Sequence, residues 1–175
     1  MKTIRVLVAD DHTILREGVV ALLNGSGDCR VIGQAADGMR AVELALETEP
    51  DVIVLDISMP KLNGIDVIRR LSKELEHSRI LVLTMHAEEA YALRAFKAGA
   101  NGYLTKDSAA DELIQSVHKV AGGGIYVRAA LALAGRLELP VVATHPVQFV
   151  RPEEYTAHEA RVCIAEGETL ANPRR

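Results

Sequence analysis

The six residues Asp51-Val52-Ile53-Val54-Leu55-Asp56 decide the fold of this chain. Between the two aspartates lie four apolar residues, most of them β-branched, and this pattern is typical of a strand buried on both faces of a parallel sheet. Asp56 ends an apolar run that would otherwise continue into Ile57, and Met59-Pro60 then forces a loop. The stretch therefore predicts a buried strand with a carboxylate at its carboxyl end.

Similar strands and amphipathic helices alternate on both sides of this stretch. Four further strands are predicted, at residues 4–9, 29–35, 79–84 and 102–104. Apolar residues share a helical face in four sets, which are Leu15, Gly18, Val19 and Leu22; Val42, Ala45 and Leu46; Ile65, Ile68, Leu71 and Leu75; and Leu113, Val117 and Val120. A further helix is predicted over residues 87–98, ended by Gly99. Five strand–helix units in about 120 residues imply an α/β fold, a doubly wound parallel sheet with helices on both faces.

Polar side chains follow four of the predicted strands, namely Asp10-Asp11, Asp56, Thr84 and Lys106. In open α/β sheets, ligands bind outside the carboxyl ends of the strands. Three carboxylates brought together repel one another unless a cation joins them, and Mg²⁺ suits a partly hydrated oxygen site that also takes a phosphate. The lysine and the threonine add an ammonium and a hydroxyl. The set therefore favours phosphoryl transfer onto a carboxylate, in which positioning and charge neutralisation supply most of the catalysis.

Taken one at a time, these residues have ordinary structural explanations. An aspartate at a strand end usually caps a turn or a helix, and Thr84 can initiate a helix. Lys106 alone would be a solvated surface charge, and Tyr103 alone an aromatic residue at the edge of the core. Complementary groups at four strand ends are hard to explain as turn chemistry, so the whole set favours the functional interpretation.

Four stretches at the strand ends carry a family resemblance. They read VADDH at 8–12, LDISMP at 55–60, LTMH at 83–86 and GYLTKDS at 102–108. With these motifs in this order, residues 1 to about 127 resemble the receiver domain of two-component response regulators. The Thr84-Met85-His86 and Lys106-Asp107-Ser108 stretches are similar to those of the NarL/LuxR-type class of transcriptional regulators. The resemblance implies a flavodoxin-like sheet of five strands in the order 2-1-3-4-5.

The resemblance also implies roles for the acidic residues. Asp56 would accept a phosphoryl group from a sensor histidine kinase in a Mg²⁺-dependent reaction. Asp11 would bind Mg²⁺ directly, and Asp10 would act largely through a metal-bound water. Asp56 itself and the backbone carbonyl of Ser58 would complete the protein ligands. On this interpretation the chain is not an enzyme with an external substrate, because it catalyses only its own phosphorylation and dephosphorylation.

A conformational switch is the second implication of the resemblance. Thr84 and Lys106 would contact the phosphoryl oxygens, and Tyr103 would be the aromatic switch that turns inward when Thr84 moves. Self-association on phosphorylation is an expectation of the family. DNA binding is expected of full-length relatives but not of this chain, and the expected location is the cytoplasm.

Residues 128–175 differ in composition from the rest of the chain. They contain neither Asp nor Lys and are neutral, so that residues 1–127 carry the whole net charge of −4. The stretches LPVVATHPVQF at 139–149 and AHEARVCI at 157–164 resemble part of the histidinol-phosphatase-like (PHP) domain of bacterial DNA polymerase III α subunits. Gln148 stands where a metal-binding member of that family carries His, so no metal site is expected there. We therefore expect a receiver domain over 1–127, an extension over 128–175 that is not a complete domain, and no helix-turn-helix output domain.

Composition narrows the class of protein further. The chain has two cysteines, Cys29 and Cys163, too few for a disulfide framework, which favours a reducing cytoplasm. Its apolar runs fall far short of the ~18 residues that a membrane span needs, and no signal peptide is recognised. The net charge of −4 argues against nonspecific binding of nucleic acid.

Two other functions use the same sheet and stay open at this point. A flavodoxin-like ligand-binding module would need a phosphate-binding turn, yet residues 9–13 are acidic where such turns carry Gly. An aspartyl-phosphate phosphohydrolase would need a second carboxylate as acid and base, and Ser58 stands two positions after Asp56 instead.

Overall fold

A computed structural model describes residues 3–108 and 110–127 of the chain, which divides into the units Met1–Arg128 and Ala129–Arg175. The predictions made for residues 128–175 lie outside the described residues. The strands are β1 (Ile4–Ala9), β2 (Cys29–Ala35), β3 (Val52–Leu55), β4 (Arg79–Thr84), β5 (Gly102–Thr105) and β6 (Tyr126–Val127). The helices are α1 (Thr13–Gly25), α2 (Gly38–Thr48), α3 (Gly64–Glu74), α4 (Glu89–Ala98) and α5 (Ala110–Ala121).

All six strands form one parallel sheet in the order β2-β1-β3-β4-β5-β6. The predicted flavodoxin-like order of the first five strands is confirmed. The prediction of five strands missed β6, in which Tyr126 and Val127 pair with Gly102 and Tyr103. A two-residue strand is too short to show a periodicity in the sequence. It forms because β5 would otherwise present its unpaired backbone groups at the edge of the sheet.

Two layers of helices cover the sheet. On one face, α1 and α5 pack against alternate strand residues, including Val6, Val54 and Leu81. The intervening residues, such as Leu7 and Ile53, point to the other face because side chains alternate along a strand. There α3 packs between α2 and α4. Among the described residues, none of the helices combines the length and the hydropathy that a membrane span requires.

Several predicted boundaries differ from the structure by one or two residues, including the end of β5, which is Thr105 rather than residue 104. The third strand is Val52–Leu55, so Asp51 and Asp56 flank it rather than end it. The side chain of Asp51 accepts a hydrogen bond from the backbone N–H of Arg5 at 2.8 Å, which ties the start of β3 to the neighbouring strand β1. Helix α4 begins at Glu89 rather than at residue 87, because Glu88 has an extended backbone. Gly99, with φ of 115°, follows α4 in the left-handed conformation, as predicted for a helix-ending glycine.

Glycines begin both α2 and α3 because the chain is tightly packed at these points. A Cβ on Gly64 would overlap the carbonyl oxygen of Asp56 and lie 2.6 Å from Cα of Ile57. A Cβ on Gly38 would overlap the carbonyl oxygen of Leu62. Because the obstacles are backbone atoms, they cannot rotate away as a side chain can. The loop after β3, which begins with Asp56, is therefore pressed against the start of α3.

We predict that Gly64→Ala destabilises the protein by about 1–3 kcal/mol, because the new methyl group meets fixed backbone. Gly18→Ala is the matched control, since a Cβ at this position in α1 has nothing within 4 Å. It should stabilise the protein by about 0.5–1 kcal/mol, as expected for a glycine inside a helix. Urea unfolding of both variants measures the difference. Equal stabilities would show that the β3–α3 loop is not closely packed.

Candidate functional site

Two buried carboxylates lie at the carboxyl ends of neighbouring strands. Asp10 follows β1 and Asp56 follows β3, and the two residues are 3% and 2% exposed. Their backbone N–H groups continue the sheet, as that of Asp10 donates to the carbonyl of Ala35 at 3.1 Å and that of Asp56 to Ala9 at 2.9 Å. The parallel sheet therefore fixes where both carboxylates emerge. Their burial demands a positive partner, because an isolated buried charge is costly.

Lys106 supplies that positive charge. Its Nζ lies 2.6 Å from Oδ2 of Asp56 and 2.8 Å from Oδ2 of Asp10, and its side chain is 3% exposed. The lysine follows β5, and its backbone N–H donates to the carbonyl of Thr84 at 2.8 Å. We call Asp10, Asp56 and Lys106 the buried charge triad. Three strand ends that are distant in the sequence are thus joined by one ammonium group.

The triad changes the protonation of the lysine. Burial alone would lower the pKa of Lys106, but its hydrogen bonds to Asp10 and Asp56 raise that pKa above the ordinary value of 10.5. A raised pKa in the folded state means that the pairing contributes its full stability at neutral pH. That contribution is lost only as the pH rises through the folded-state pKa, above 10.5.

Asp11 and His12 extend the triad toward solvent. Nδ1 of His12 lies 2.9 Å from Oδ1 of Asp11 and 3.3 Å from Oδ1 of Asp10, and its backbone N–H donates to Oδ1 of Asp10 at 2.8 Å. Oδ1 of Asp11 is shielded from solvent and accepts no hydrogen bond within the described residues. Ligand atoms from Asp10, Asp11, His12 and Asp56 all lie within 4.8 Å of one another. These residues could hold a metal ion.

Ser58 lies in the loop after β3 and faces both the acidic group and His86. Its backbone N–H donates to Oδ1 of Asp56 at 3.3 Å, and its Oγ lies 3.0 Å from Nε2 of His86. The structure therefore brings Ser58 to the predicted phosphoacceptor. It also connects the β3–α3 loop to the segment after β4.

Thr84 and Tyr103 meet at His86 rather than in the triad. Thr84 is fully buried, and its Oγ1 accepts a long hydrogen bond of 3.4 Å from the backbone N–H of His86. The Tyr103 hydroxyl donates to the carbonyl of His86 at 2.8 Å, and the ring of Tyr103 is buried in this conformation. Burial, together with the negative charges of Glu88 and Asp56, raises the pKa of Tyr103. The inward turn of Tyr103 stays a prediction.

His86 is a residue of the site to which the sequence analysis assigned no role. Its ring stacks on Tyr91 of α4, with centroids 4.0 Å apart and planes 14° from parallel. It therefore contacts the β3–α3 loop, β5 and α4. His12 is another residue of the site for which the sequence predicts no role. Both histidines occur inside the quoted motifs, but their partners come from other strands and helices, and no spacing in the sequence reveals those contacts.

Known proteins are similar to this chain in sequence and in fold. A family profile described as the response regulator receiver domain matches residues 6–118. The transcriptional regulatory protein DegU of Brevibacillus brevis is 42% identical over 124 residues, which are 71% of this chain and 52% of that protein. The nitrate/nitrite response regulator protein NarL of Escherichia coli (strain K12) is 36% identical over 126 residues, covering 72% of this chain and 58% of that protein. The chain thus spans little more than half the length of these relatives.

A solved structure is also similar to this chain. The crystal structure of a two-component response regulator of the LuxR family from Aurantimonas sp. SI85-9A1 superposes with a TM-score of 0.70 at 36% identity. The alignment covers 78% of this chain and 96% of that one. The likeness therefore extends over nearly the whole of the solved chain.

We predict that Lys106→Met destabilises the protein by about 3 kcal/mol near neutral pH, because two buried carboxylates lose their shared cation. Urea unfolding near neutral pH measures this loss. Lys61→Met is the control, since Lys61 pairs with Asp37 at a similar 2.7 Å with its own side chain 65% exposed. Comparable losses in the two variants would contradict a special role for the buried pairing.

Proposed function

Since the chain belongs to the response regulator receiver domain family and has relatives of the NarL/LuxR class, we propose that Asp56 accepts a phosphoryl group from a sensor histidine kinase. The buried charge triad is the observation that carries this proposal. Asp56 is a buried carboxylate at the carboxyl end of a central strand, and Lys106 holds one of its oxygens at 2.6 Å. An acceptor held in this way needs little reorganisation before it reacts.

The proposed step is an exchange of one bond at phosphorus. A carboxylate oxygen of Asp56 attacks the phosphorus of a phosphohistidine, the P–N bond breaks, and its electron pair remains on the imidazole of the kinase. Negative charge then accumulates on the phosphoryl oxygens. The ammonium of Lys106, freed from its contact with Asp56, is positioned to neutralise that charge. The backbone N–H of Ser58, which donates to Oδ1 of Asp56, orients the carboxylate.

We propose that Mg²⁺ is the cofactor. Its protein ligands would be Asp10, Asp11, Asp56 and the backbone carbonyl of Ser58. A set of hard oxygen donors fits Mg²⁺, and carboxylate oxygens of Asp10, Asp11 and Asp56 all lie within 4.8 Å of one another. The chemistry that Mg²⁺ supplies when bound is neutralisation of the phosphoryl charge and of the crowded carboxylates.

The conformational switch is the next part of the proposal. Thr84 and Lys106 would contact the phosphoryl oxygens, and two or three such charge-assisted hydrogen bonds contribute about 1.5–3 kcal/mol each. Shifting a two-state equilibrium from about 1:99 to 99:1 takes about 5.5 kcal/mol, which these bonds can supply. Because His86 contacts both Thr84 and Tyr103, a movement of Thr84 would reach Tyr103 and α4 through His86.

The two alternative functions are not favoured. The turn after β1 holds Asp10 and Asp11 near a lysine and lacks the glycines of a phosphate-binding loop. The residue two positions after Asp56 is Ser58, whose side chain contacts His86 and offers no carboxylate for hydrolysis. We propose that the chain turns over no external substrate.

The remaining proposals concern the whole protein. We propose that residues 1–127 are the receiver domain and residues 128–175 an extension that is not a complete domain. The protein would be located in the cytoplasm, where sensor kinases take their phosphoryl group from ATP. Phosphorylation of Asp56 would promote self-association of the protein. The control of transcription would belong to relatives that carry a DNA-binding domain.

We predict that acetyl phosphate with Mg²⁺ adds about 80 Da to the intact protein. Asp56→Asn should abolish the adduct, and omission of Mg²⁺ should reduce it strongly. Intact-mass spectrometry measures both effects. Asp66→Asn is the control, because Asp66 is an exposed aspartate of α3 that pairs with Arg69. An adduct that survives Asp56→Asn would contradict the proposal.

We also predict that Thr84→Ala leaves the phosphorylation of Asp56 possible but uncouples it from α4. In the unaltered protein, phosphorylation should change amide hydrogen exchange in the segment 85–98, and in the variant this change should be largely lost. Thr48→Ala is the control, because the Thr48 hydroxyl only donates to the Leu44 carbonyl of its own helix α2. The same exchange response in Thr84→Ala as in the unaltered protein would exclude Thr84 from the switch.

A further inference from the structure

A second cluster of metal-ligating side chains lies at the end of the sheet where the strands begin, opposite to the end at which Asp56 lies. Cys29 is the first residue of β2, Asp28 precedes it, and His118 lies in the last turn of α5. Asp56 follows the carboxyl end of a strand, whereas these residues lie at the amino-terminal ends of the strands. The backbone N–H of Ile4, which begins β1, donates to the carbonyl of Asp28 at 2.9 Å. The position of the cluster is therefore fixed by the sheet.

The cluster combines a thiol, a carboxylate and an imidazole. Ligand atoms of Asp28, Cys29 and His118 all lie within 4.8 Å of one another. Nε2 of His118 is shielded from solvent and lies 3.0 Å from Oδ2 of Asp28. Cys29 is 5% exposed, but the side chains of Asp28 and His118 are 36% and 39% exposed. An ion can therefore reach the thiol from the surface through these two residues.

An ion pair accounts for part of this arrangement. A histidine cation at the end of α5 is favoured by the helix dipole, and Asp28 is a suitable partner for it. The pair does not account for a thiol within reach of the same two groups. The hydroxyl of Ser26, which donates to Oδ1 of Asp28 at 2.8 Å, and then His118 hold the pKa of Asp28 below its ordinary value. The carboxylate is therefore ionised and ready to bind a cation.

From this geometry we infer that Asp28, Cys29 and His118 form a Zn²⁺ site with three protein ligands and one position open to water. Sulfur, nitrogen and oxygen ligands together are typical of zinc, and three protein ligands with an open position are typical of exchangeable rather than closed structural sites. Zn²⁺ bonds of about 2.3 Å to sulfur and about 2.0–2.2 Å to nitrogen and oxygen place ligand atoms about 3.3–3.7 Å apart. Because the ligand atoms already lie within 4.8 Å of one another, closure around the ion needs shifts of at most about 1.5 Å.

The charges of the site support zinc binding. An ionised Asp28 and a Cys29 thiolate together neutralise one Zn²⁺, with His118 as a neutral ligand. Binding of the ion by the Cys29 thiolate would release the proton of the thiol. The bound ion would connect the start of β2 to the last turn of α5. It would thereby restrain the helix that begins just after Lys106.

The test uses Co²⁺, which replaces Zn²⁺ and absorbs light when a thiolate binds it. The full chain is titrated with Co²⁺ in saturating Mg²⁺, so that the carboxylates around Asp56 are occupied and only a cysteine ligand produces the thiolate-to-cobalt absorption in the near ultraviolet. We expect this absorption in the unaltered protein and its displacement by Zn²⁺. Failure to observe it at any Co²⁺ concentration that the folded protein tolerates would overturn the proposal.

Two variants test the proposed ligands, and a third variant is the control. Cys29→Ser should abolish the absorption, and His118→Asn should weaken Co²⁺ binding by about tenfold or more. Cys163→Ser is the matched control, because it removes the other thiol of the chain and should leave the absorption unchanged. His118→Asn alters a partly exposed residue and keeps the proposal testable if Cys29→Ser fails to fold. Absorption lost in Cys163→Ser, or binding unaltered in His118→Asn, would assign the metal to other residues and contradict this site.

Discussion

The ammonium of Lys106 between two buried carboxylates is the interaction on which the rest of the site depends. Asp10 and Asp56 leave neighbouring strands at the same edge of the sheet, and burying both carboxylates there without a cation would be costly. The lysine follows a third strand, β5, so the pairing also links the carboxyl ends of β1, β3 and β5. A charge arrangement that is costly to bury is stable here because the backbone of three parallel strands fixes all of its members.

Balanced charges of this kind suit a switch better than a permanently neutral core would. The lysine is shared between two carboxylates. An anion added at the site could therefore attract the ammonium away from one carboxylate while the ammonium keeps its contact with the other. The loop that carries Asp56 has little freedom to move, because Gly64 lies directly against its backbone. In the segment after β4, His86 contacts three other parts of the structure.

Much of the fold could be predicted from the sequence because buried parallel strands are recognisable as short continuous runs of apolar residues. The apolar runs at 52–55 and 79–84 are buried on both faces, and their polar ends meet at one edge by geometry alone. The carboxylates and the lysine of the site were predictable for the same reason. The partners of His86 and His12 were not, because side-chain contacts between distant segments leave no period in the sequence. The pairing of β6 and the approach of His118 to Cys29 were hidden for the same reason, since each depends on how α5 packs.

The short strand β6 also determines where the sheet ends. The two residues Tyr126 and Val127 cover the free edge of β5, and the Tyr126 hydroxyl donates to Oε1 of Glu112 on α5 at 2.9 Å. An uncovered edge strand is a template onto which another chain can add by backbone pairing. A polypeptide ended at Ala121 would keep every strand end of the site yet expose this template. Residues that take no part in the chemistry of the site therefore protect this edge of the sheet from pairing with another chain.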